Sequence, residues 1–223
     1  MVRVLSTKTL KPSQKTLLHH AGIGLVEYDA ISINFLDITI PPGFEYLIFS
    51  SKNGVRAFLE NLANSRQALK KQKLKCFCVG EKTKALLLAH GFRVLHSAQS
   101  SRDLGLYIAK EHHKNPILFI CGNQRRNELP TLLKEQNVAL TEVVAYETRL
   151  NPVKQPGNFE GILFFSPSGV ESFFSGNTAG QATAYCLGRT TAVAASAYTE
   201  RYKSAPKPAV ESLVQMVIRE LGS

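Results

Sequence analysis

Short apolar runs rich in β-branched and aromatic residues alternate along this chain with longer stretches whose apolar positions recur at helical spacing. This is the pattern of βα units that build a parallel sheet. The runs predict strands at Val2–Leu5, Tyr46–Phe49, Lys75–Val79, Ile117–Ile120, Ile162–Phe165 and Thr183–Leu187. Most lead into a small polar turn and then a helix. Val55, Phe58, Leu59 and Leu62 after Ser51, and Val170, Phe173 and Phe174 after Ser168, form the core-facing stripes of two such helices.

The same units occur twice. LIFSSKNGVRAF (47–58) and LFFSPSGVESF (163–173) share a strand, a serine turn, Gly-Val and a helix. CFCVGEKTKALLLAHGF (76–92) and AYCLGRTTAVAASAYTE (184–200) follow in the same order, each with a strand, Gly-x-x-Thr and an Ala/Leu-rich helix. SSRDLGLYIAK (100–110) and KPAVESLVQMVI (207–218) make a third, looser pair. VRVLSTK at the N-terminus resembles ILFICGN from 117, each a strand leading into a long helix and another strand. Since the N-terminal unit meets the rest of its repeat only after residue 160, the first domain is split. The expected organisation is a discontinuous α/β domain of residues 1–30 and 153–223, with a second α/β domain, 39–146, inserted into it. The linkers 31–38 (ISINFLDI) and 147–152 (ETRLNP) are short and extended in character, and are expected to pair as a two-stranded hinge.

At 223 residues and 44% apolar composition the chain has room for real cores, and no apolar run approaches the roughly 20 residues that span a bilayer. The opening MVRVLSTKTL enters a strand pattern at once and lacks the apolar centre of a secretory signal, so a cytoplasmic protein is expected. Cys76, Cys78, Cys121 and Cys186 sit inside apolar strand runs without C-x-x-C spacing and read as buried thiols in a reducing compartment. The net charge of +10 favours a polyanionic partner, either a nucleic acid or a polycarboxylate.

In a parallel α/β sheet, ligands bind beyond the carboxyl ends of the strands, where helix N-termini direct free N–H groups outward. Five polar turns fall there: Ser50-Ser51-Lys52-Asn53-Gly54, Gly80-Glu81-Lys82-Thr83, Gly122-Asn123-Gln124-Arg125-Arg126, Ser166-Pro167-Ser168-Gly169 and Gly188-Arg189-Thr190-Thr191. Their hydroxyls, glycines and cations suit carboxylate recognition, although a lone Ser or Thr before a helix also reads as a plain N-cap. Neither G-x-x-x-x-G-K-[ST] nor a strand-borne G-x-G-x-x-G is present, which argues against nucleotides. His19-His20 and His112-His113 lack partner spacing for a metal and read as solvated, so no metal is expected. The tract Lys70-Lys71-Gln72-Lys73-Leu74-Lys75 has no interleaved stacking residues, which disfavours nucleic acid. No Ser-His-Asp or Cys-His series supports covalent hydrolysis. Tyr146, in EVVAYETR at the end of a strand, either faces a cleft between the domains or packs in a core or hinge. The residues by themselves describe a two-domain binder of acidic molecules.

Taken in order, EYLIFSSKNGVRAF, CFCVGEKTKALLLAHGF, CGNQRRNELPTLLKEQNVALTEVVAYET, ILFFSPSGVESFF, CLGRTTAVAA and KPAVESLVQMV resemble the uroporphyrinogen-III synthase family over most of the chain. The resemblance implies two flavodoxin-like, parallel-sheet α/β domains, one discontinuous, joined by a two-stranded linker and able to open and close. It implies a cofactor-free hydro-lyase that closes hydroxymethylbilane, a linear tetrapyrrole polycarboxylate, into uroporphyrinogen III with ring D inverted, in haem biosynthesis. Matched residue by residue, it makes Tyr146 the acid that protonates the leaving hydroxyl. It assigns Ser51, Lys52, Asn53, Gly80, Thr83, Gly122, Asn123, Arg126, Ser166, Ser168, Gly188, Thr190 and Thr191 to the substrate. The implied protein is a cytoplasmic monomer that receives its substrate from hydroxymethylbilane synthase and binds neither nucleic acid nor membrane. Two departures bear on the anion contacts: Lys8-Thr9 stands where the family often has Arg-Pro, and Cys121 and Arg125 replace an Arg and a second Gly around Gly122. A non-catalytic, two-lobed binder of small anions is the competing reading.

Overall fold

The computed structural model describes residues 2–64 and 73–222, so Lys70–Gln72 of the lysine tract lie outside the described residues. Along the chain the elements run β1 (Arg3–Ser6), α1 (Pro12–His20), β2 (Gly24–Glu27), β3 (Ile31–Phe35), β4 (Tyr46–Phe49), α2 (Lys52–Asn64), β5 (Lys75–Val79), α3 (Glu81–Ala89), β6 (Arg93–Ala98) and α4 (Ser101–Glu111). They continue with β7 (Ile117–Gly122), α5 (Glu128–Glu135), β8 (Leu140–Leu150), β9 (Gly161–Phe164), α6 (Pro167–Phe174), β10 (Thr183–Cys186), α7 (Arg189–Ser196), β11 (Tyr202–Ser204) and α8 (Val210–Leu221).

These elements form two compact units, Met1–Ser32 with Arg149–Ser223, and Ile33–Thr148. The split unit carries the sheet β11-β10-β9-β1-β2 and the inserted unit the sheet β3-β8-β7-β4-β5-β6. Apart from β3, the strands pair in parallel. Side by side, β2-β1-β9-β10-β11 matches β8-β7-β4-β5-β6 strand for strand. The inserted unit is therefore a circular permutant of the split one: the β1–α1–β2 segment that opens the first reappears as β7–α5–β8 at the end of the second.

Both sheets are buried on both faces, which explains the unbroken apolar strand runs. Leu47 and Phe49 pack with Val55, Phe58 and Leu87 under α2 and α3, while Ile48 turns the other way to meet Leu104, Ile108, Leu129 and Leu133 under α4 and α5. In the split unit, Leu5, Ile162 and Phe164 meet Val170 and Phe173 of α6, and Val4 and Leu163 meet Leu18, Leu213 and Val217 of α1 and α8. Strands without a clear apolar run are mostly edges. β2 ends one sheet, β6 ends the other with the mixed run RVLHSA, and β11 is exposed throughout. An edge strand meets solvent and loses the apolar signature of a central one.

The chain crosses between units in β3 and β8, which are neighbours in the sheet. Leu36 N–H donates to Ala145 O and Asn151 N–H donates to Ala30 O, the crossed numbering of an antiparallel pair. The expected linker 147–152 is largely a continuation of β8, unbroken to Leu150. Beyond the pair, each departing segment is clasped by an asparagine of its own unit. Asn61 of α2 donates to Leu36 O at 2.9 Å and Ala57 O at 2.9 Å and accepts from Ile38 N–H at 2.8 Å. Asn177, just past α6, repeats the pattern with Val153 O at 3.0 Å, Phe173 O at 2.9 Å and Gln155 N–H at 2.7 Å. At a net value of about 0.5–1.5 kcal/mol for each of three bonds, Asn61→Ala and Asn177→Ala are each expected to cost about 1.5–4.5 kcal/mol. Urea unfolding measures this, and a loss below about 0.5 kcal/mol would mean that water replaces the clasp.

His112 departs from the solvated reading. It closes α4 and packs its ring against Phe77 (centroids 4.9 Å apart), Tyr46 (5.5 Å) and Tyr107 (5.8 Å), whereas His19 and His20 are exposed. All four cysteines are buried, and burial pushes Cys76 and Cys186 up to about 12. Among the described residues, no helix is long and apolar enough to cross a membrane.

Candidate functional site

In each sheet the chain reverses direction across the strands at one place, between β1 and β9 in the split unit and between β7 and β4 in the inserted one. Such switch points open a crevice at the carboxyl ends of the strands. The turns Gly122–Arg126 and Ser50–Gly54 flank the second switch point, and Ser166–Gly169 adjoins Ser6-Thr7-Lys8 at the first. Gly80–Thr83 and Gly188–Thr191 follow β5 and β10, one strand further out.

At the β7/β4 switch point lies a cavity of about 310 Å³, with Ser50, Ser51, Ser101, Gln124, Arg126 and Tyr146 among its walls. Ser51 precedes α2, and its Oγ accepts from Asn53 N–H at 3.2 Å, which caps the helix. The same residue lines the cavity together with Tyr146. Burial dominates the environment of that phenol and raises its pKa above the ordinary value; Ser51 pulls the other way and Cys121 adds a small upward push. The ring lies directly against Gly122. A Cβ there would meet Tyr146 Cε2 and Cζ at 2.5 Å and the hydroxyl at 2.9 Å, closer than any real side chain approaches.

A register shift explains how Tyr146 reaches this position. β7 pairs with β8 evenly up to Cys121↔Val144, but Gly122 then pairs with Tyr146, leaving Ala145 as an extra residue. A bulge of this kind re-aims the next side chain. The equivalent β1/β2 ladder runs without a shift from Arg3↔Gly24 to Ser6↔Glu27. There the tyrosine at the end of β2, Tyr28, packs into the core, its hydroxyl has no partner among the described residues, and burial pushes it up to about 12. One extra residue thus separates a phenol that lines a cavity from one whose hydroxyl meets no partner among the described residues.

The two neighbouring arginines have different fates. Arg125 is neutralised by Glu142, with one guanidinium nitrogen at 2.9 Å from its carboxylate and another bonded to Asn127 at 2.6 Å. Arg126 is exposed, lines the cavity and has no ion-pair partner among the described residues. Further cations occupy helix N-termini: Lys52 opens α2, Lys82 stands second in α3, Arg102 second in α4, and Arg189 opens α7, all of them exposed. A cation there opposes the helix dipole by about 0.3–1 kcal/mol. The first turns of α2 and α7 hold no acid to compensate. An anion bound at these helix ends would offset that cost.

In the split unit Ser166 caps α6 by accepting from Gly169 N–H at 3.1 Å, while Ser168 falls inside the first turn of the helix. Thr7, which sequence reading missed, brings its hydroxyl beside Gly169 while donating to Leu163 O at 2.8 Å. The signal was available, because Thr7 matches Gly122 in the repeat VRVLSTK/ILFICGN. Gly80 has φ +84°, which requires glycine, whereas Gly188 is extended. Thr83 and Thr191, the threonines of the Gly-x-x-Thr repeat, are both buried, leaving Thr190 as the exposed hydroxyl of its turn. The side chain of Asn123 is engaged with the backbone of β8 at Thr148.

The family model of uroporphyrinogen-III synthase HemD matches residues 13–215. The porphyrin biosynthesis protein HemD of Ruminiclostridium josui is 28% identical over 251 residues, covering 99% of this chain and 48% of that protein. The chain thus spans about half the length of the curated relative it matches. Among solved structures, uroporphyrinogen-III synthetase from Helicobacter pylori matches with a TM-score of 0.79 at 21% identity, over 99% of this chain and 100% of that one. A mutant uroporphyrinogen III synthase from Thermus thermophilus gives 0.70 at 17% identity, over 99% of both chains. At those identities the two structures speak for the fold, and the family rests on the sequence match across most of the chain. The chain belongs to the uroporphyrinogen-III synthase family.

Proposed function

We propose that this protein cyclises hydroxymethylbilane to uroporphyrinogen III. The observation that carries the reading is the Tyr146 phenol, packed against Gly122 and sharing a cavity with Ser51 and with Arg126, which has no ion-pair partner among the described residues. In the first step the C–O bond of the terminal hydroxymethyl group breaks, and the oxygen leaves with the electron pair, takes a proton and departs as water. The acid must therefore be protonated at neutral pH, and a phenol held above its ordinary value near 10 meets that condition. The cationic azafulvene left behind is attacked by the substituted position of the last ring. A spiro intermediate then rearranges before the macrocycle closes and a proton is lost.

The bilane also closes unaided to the symmetric isomer, so the protein's main contribution is to hold the chain where one attack geometry is reachable. That task requires anion grips, which the exposed cations and hydroxyls at the strand ends supply, with Ser51, Ser166, Ser168, Thr190 and Arg126 as the contacts. A cytoplasmic monomer without a cofactor, taking its substrate from hydroxymethylbilane synthase, suffices for this chemistry.

The test is the isomer ratio of uroporphyrin formed from freshly generated hydroxymethylbilane, with and without the protein. Predominantly isomer III supports the reading, and isomer I alone from a folded sample rejects it in favour of a non-catalytic anion binder. Within the reading, Arg126→Ala is expected to raise KM roughly tenfold with kcat nearly unchanged, since a charge-assisted bond made equally in ground and transition states is lost. Steady-state kinetics checks it, and an unchanged KM would remove Arg126 from the grip.

A further inference from the structure

We propose that Asn123 is a positioning residue, holding the β8 backbone around Tyr146 rather than gripping substrate; this rests on the role proposed above for Tyr146. Asn123 is the first residue after β7, at the point where the strand that supports β8 ends. Its backbone N–H donates to Tyr146 O at 3.2 Å. Its side-chain Oδ1 accepts from Thr148 N–H at 2.9 Å, and Nδ2 reaches back to Thr148 O at 3.5 Å. The carboxamide thus takes the place of the next peptide group of a strand that has run out, continuing the ladder past the register shift at Gly122.

The split unit supplies the comparison. In the repeat VRVLSTK/ILFICGN, the residue matching Asn123 is Lys8, which has no carboxamide. There Tyr28 N–H donates to Ser6 O, and Ala30 N–H, the counterpart of Thr148 N–H, donates to Thr7 O, so a backbone carbonyl fills the position that the Asn123 carboxamide fills, without a bulge; side chains of β2 and its exit, Asp29 and Glu27, enter only further on, at Thr9 and Leu10 N–H. At this rung the side-chain substitute accompanies the bulge, and the backbone acceptor accompanies the even ladder. A bulge leaves strand pairing locally weak, and a ring packed on the bare backbone of Gly122 needs its strand held on both sides to stay there. Asn123 supplies the second hold, and a substrate contact would have to break it.

The test uses Asn123→Ala and Asn123→Asp in the whole protein, with two readouts. The first is the kcat and KM split. The second is the titration of the Tyr146 phenol in the free protein, followed by ultraviolet difference spectroscopy against Tyr146→Phe. Asn123→Ala is expected to lower kcat about tenfold to a hundredfold with KM little changed, and to let the Tyr146 titration fall back toward that of an exposed phenol. Asn123→Asp, which keeps an acceptor for Thr148 N–H, is expected to preserve the titration. A raised KM with kcat intact, or an unmoved titration in Asn123→Ala, overturns the proposal. Because the titration is read without substrate, a Tyr146→Phe variant that keeps full turnover would refute the acid role while leaving the positioning result legible.

Discussion

Replacing Tyr146 with phenylalanine is expected to lower kcat about a hundredfold, the lower end of what a positioned acid contributes, while KM and stability stay nearly the same. The substitution removes one oxygen from a ring that keeps its seat on Gly122, and Ser51 still caps α2 through Asn53 N–H. The share of isomer I in the product should rise, because unaided closure competes once the catalysed route slows. The pH profile provides a second signature. Only the protonated phenol donates, and burial raises its pKa, so wild-type turnover should stay level up to the ordinary phenol range near 10 and fall only above it. The variant should lack that alkaline limb. Stability has the same sign: a phenol whose folded pKa is raised contributes stability that is complete below its unfolded value and is lost as pH rises through the folded one. Full turnover in Tyr146→Phe would take the phenol out of the reaction.

The sequence carried the fold further than it carried the site. Central strands such as β4, β5 and β7 are buried on both faces, and that burial shows as continuous apolar runs. Edge strands such as β6 and β11 meet solvent, and their composition is that of a loop. The duplication was legible because each polar turn must sit at a strand end in both units, whichever unit is permuted. The side-chain partnerships within the site were not. Ser51 and Tyr146 meet because β4 and β8 both flank β7, a relation that no local pattern expresses. The extra Ala145 leaves EVVAYETR looking like any half-buried strand. Thr83 and Thr191 read as turn hydroxyls, but three residues into a helix over a sheet the side chain points inward. Arg125 and Arg126 are indistinguishable until Glu142 arrives from the neighbouring strand to neutralise one of them.

Gly122→Ala should reproduce most of the kinetic loss of Tyr146→Phe although it adds only a methyl group, and should destabilise the protein by about 1–3 kcal/mol as well. Gly122 lies within β7 with no positive φ, so alanine strains nothing in the backbone. The penalty comes from the ring, which would face a Cβ at 2.5 Å where carbon atoms settle about 3.5–4.0 Å apart. The ring must therefore move by about an ångström or more, a displacement that re-aims the phenol within the cavity and can by itself cost about a hundredfold. Two double variants separate the causes. Adding Tyr146→Phe to Gly122→Ala should lower kcat little further, because both act through the same hydroxyl. In a Tyr146→Ala background Gly122→Ala should cost almost no further stability, because the clashing ring is gone, which urea unfolding of the two variants would show. If Gly122→Ala keeps wild-type kcat, or if its loss multiplies with that of Tyr146→Phe, then the contact between this glycine and this tyrosine is not what places the acid.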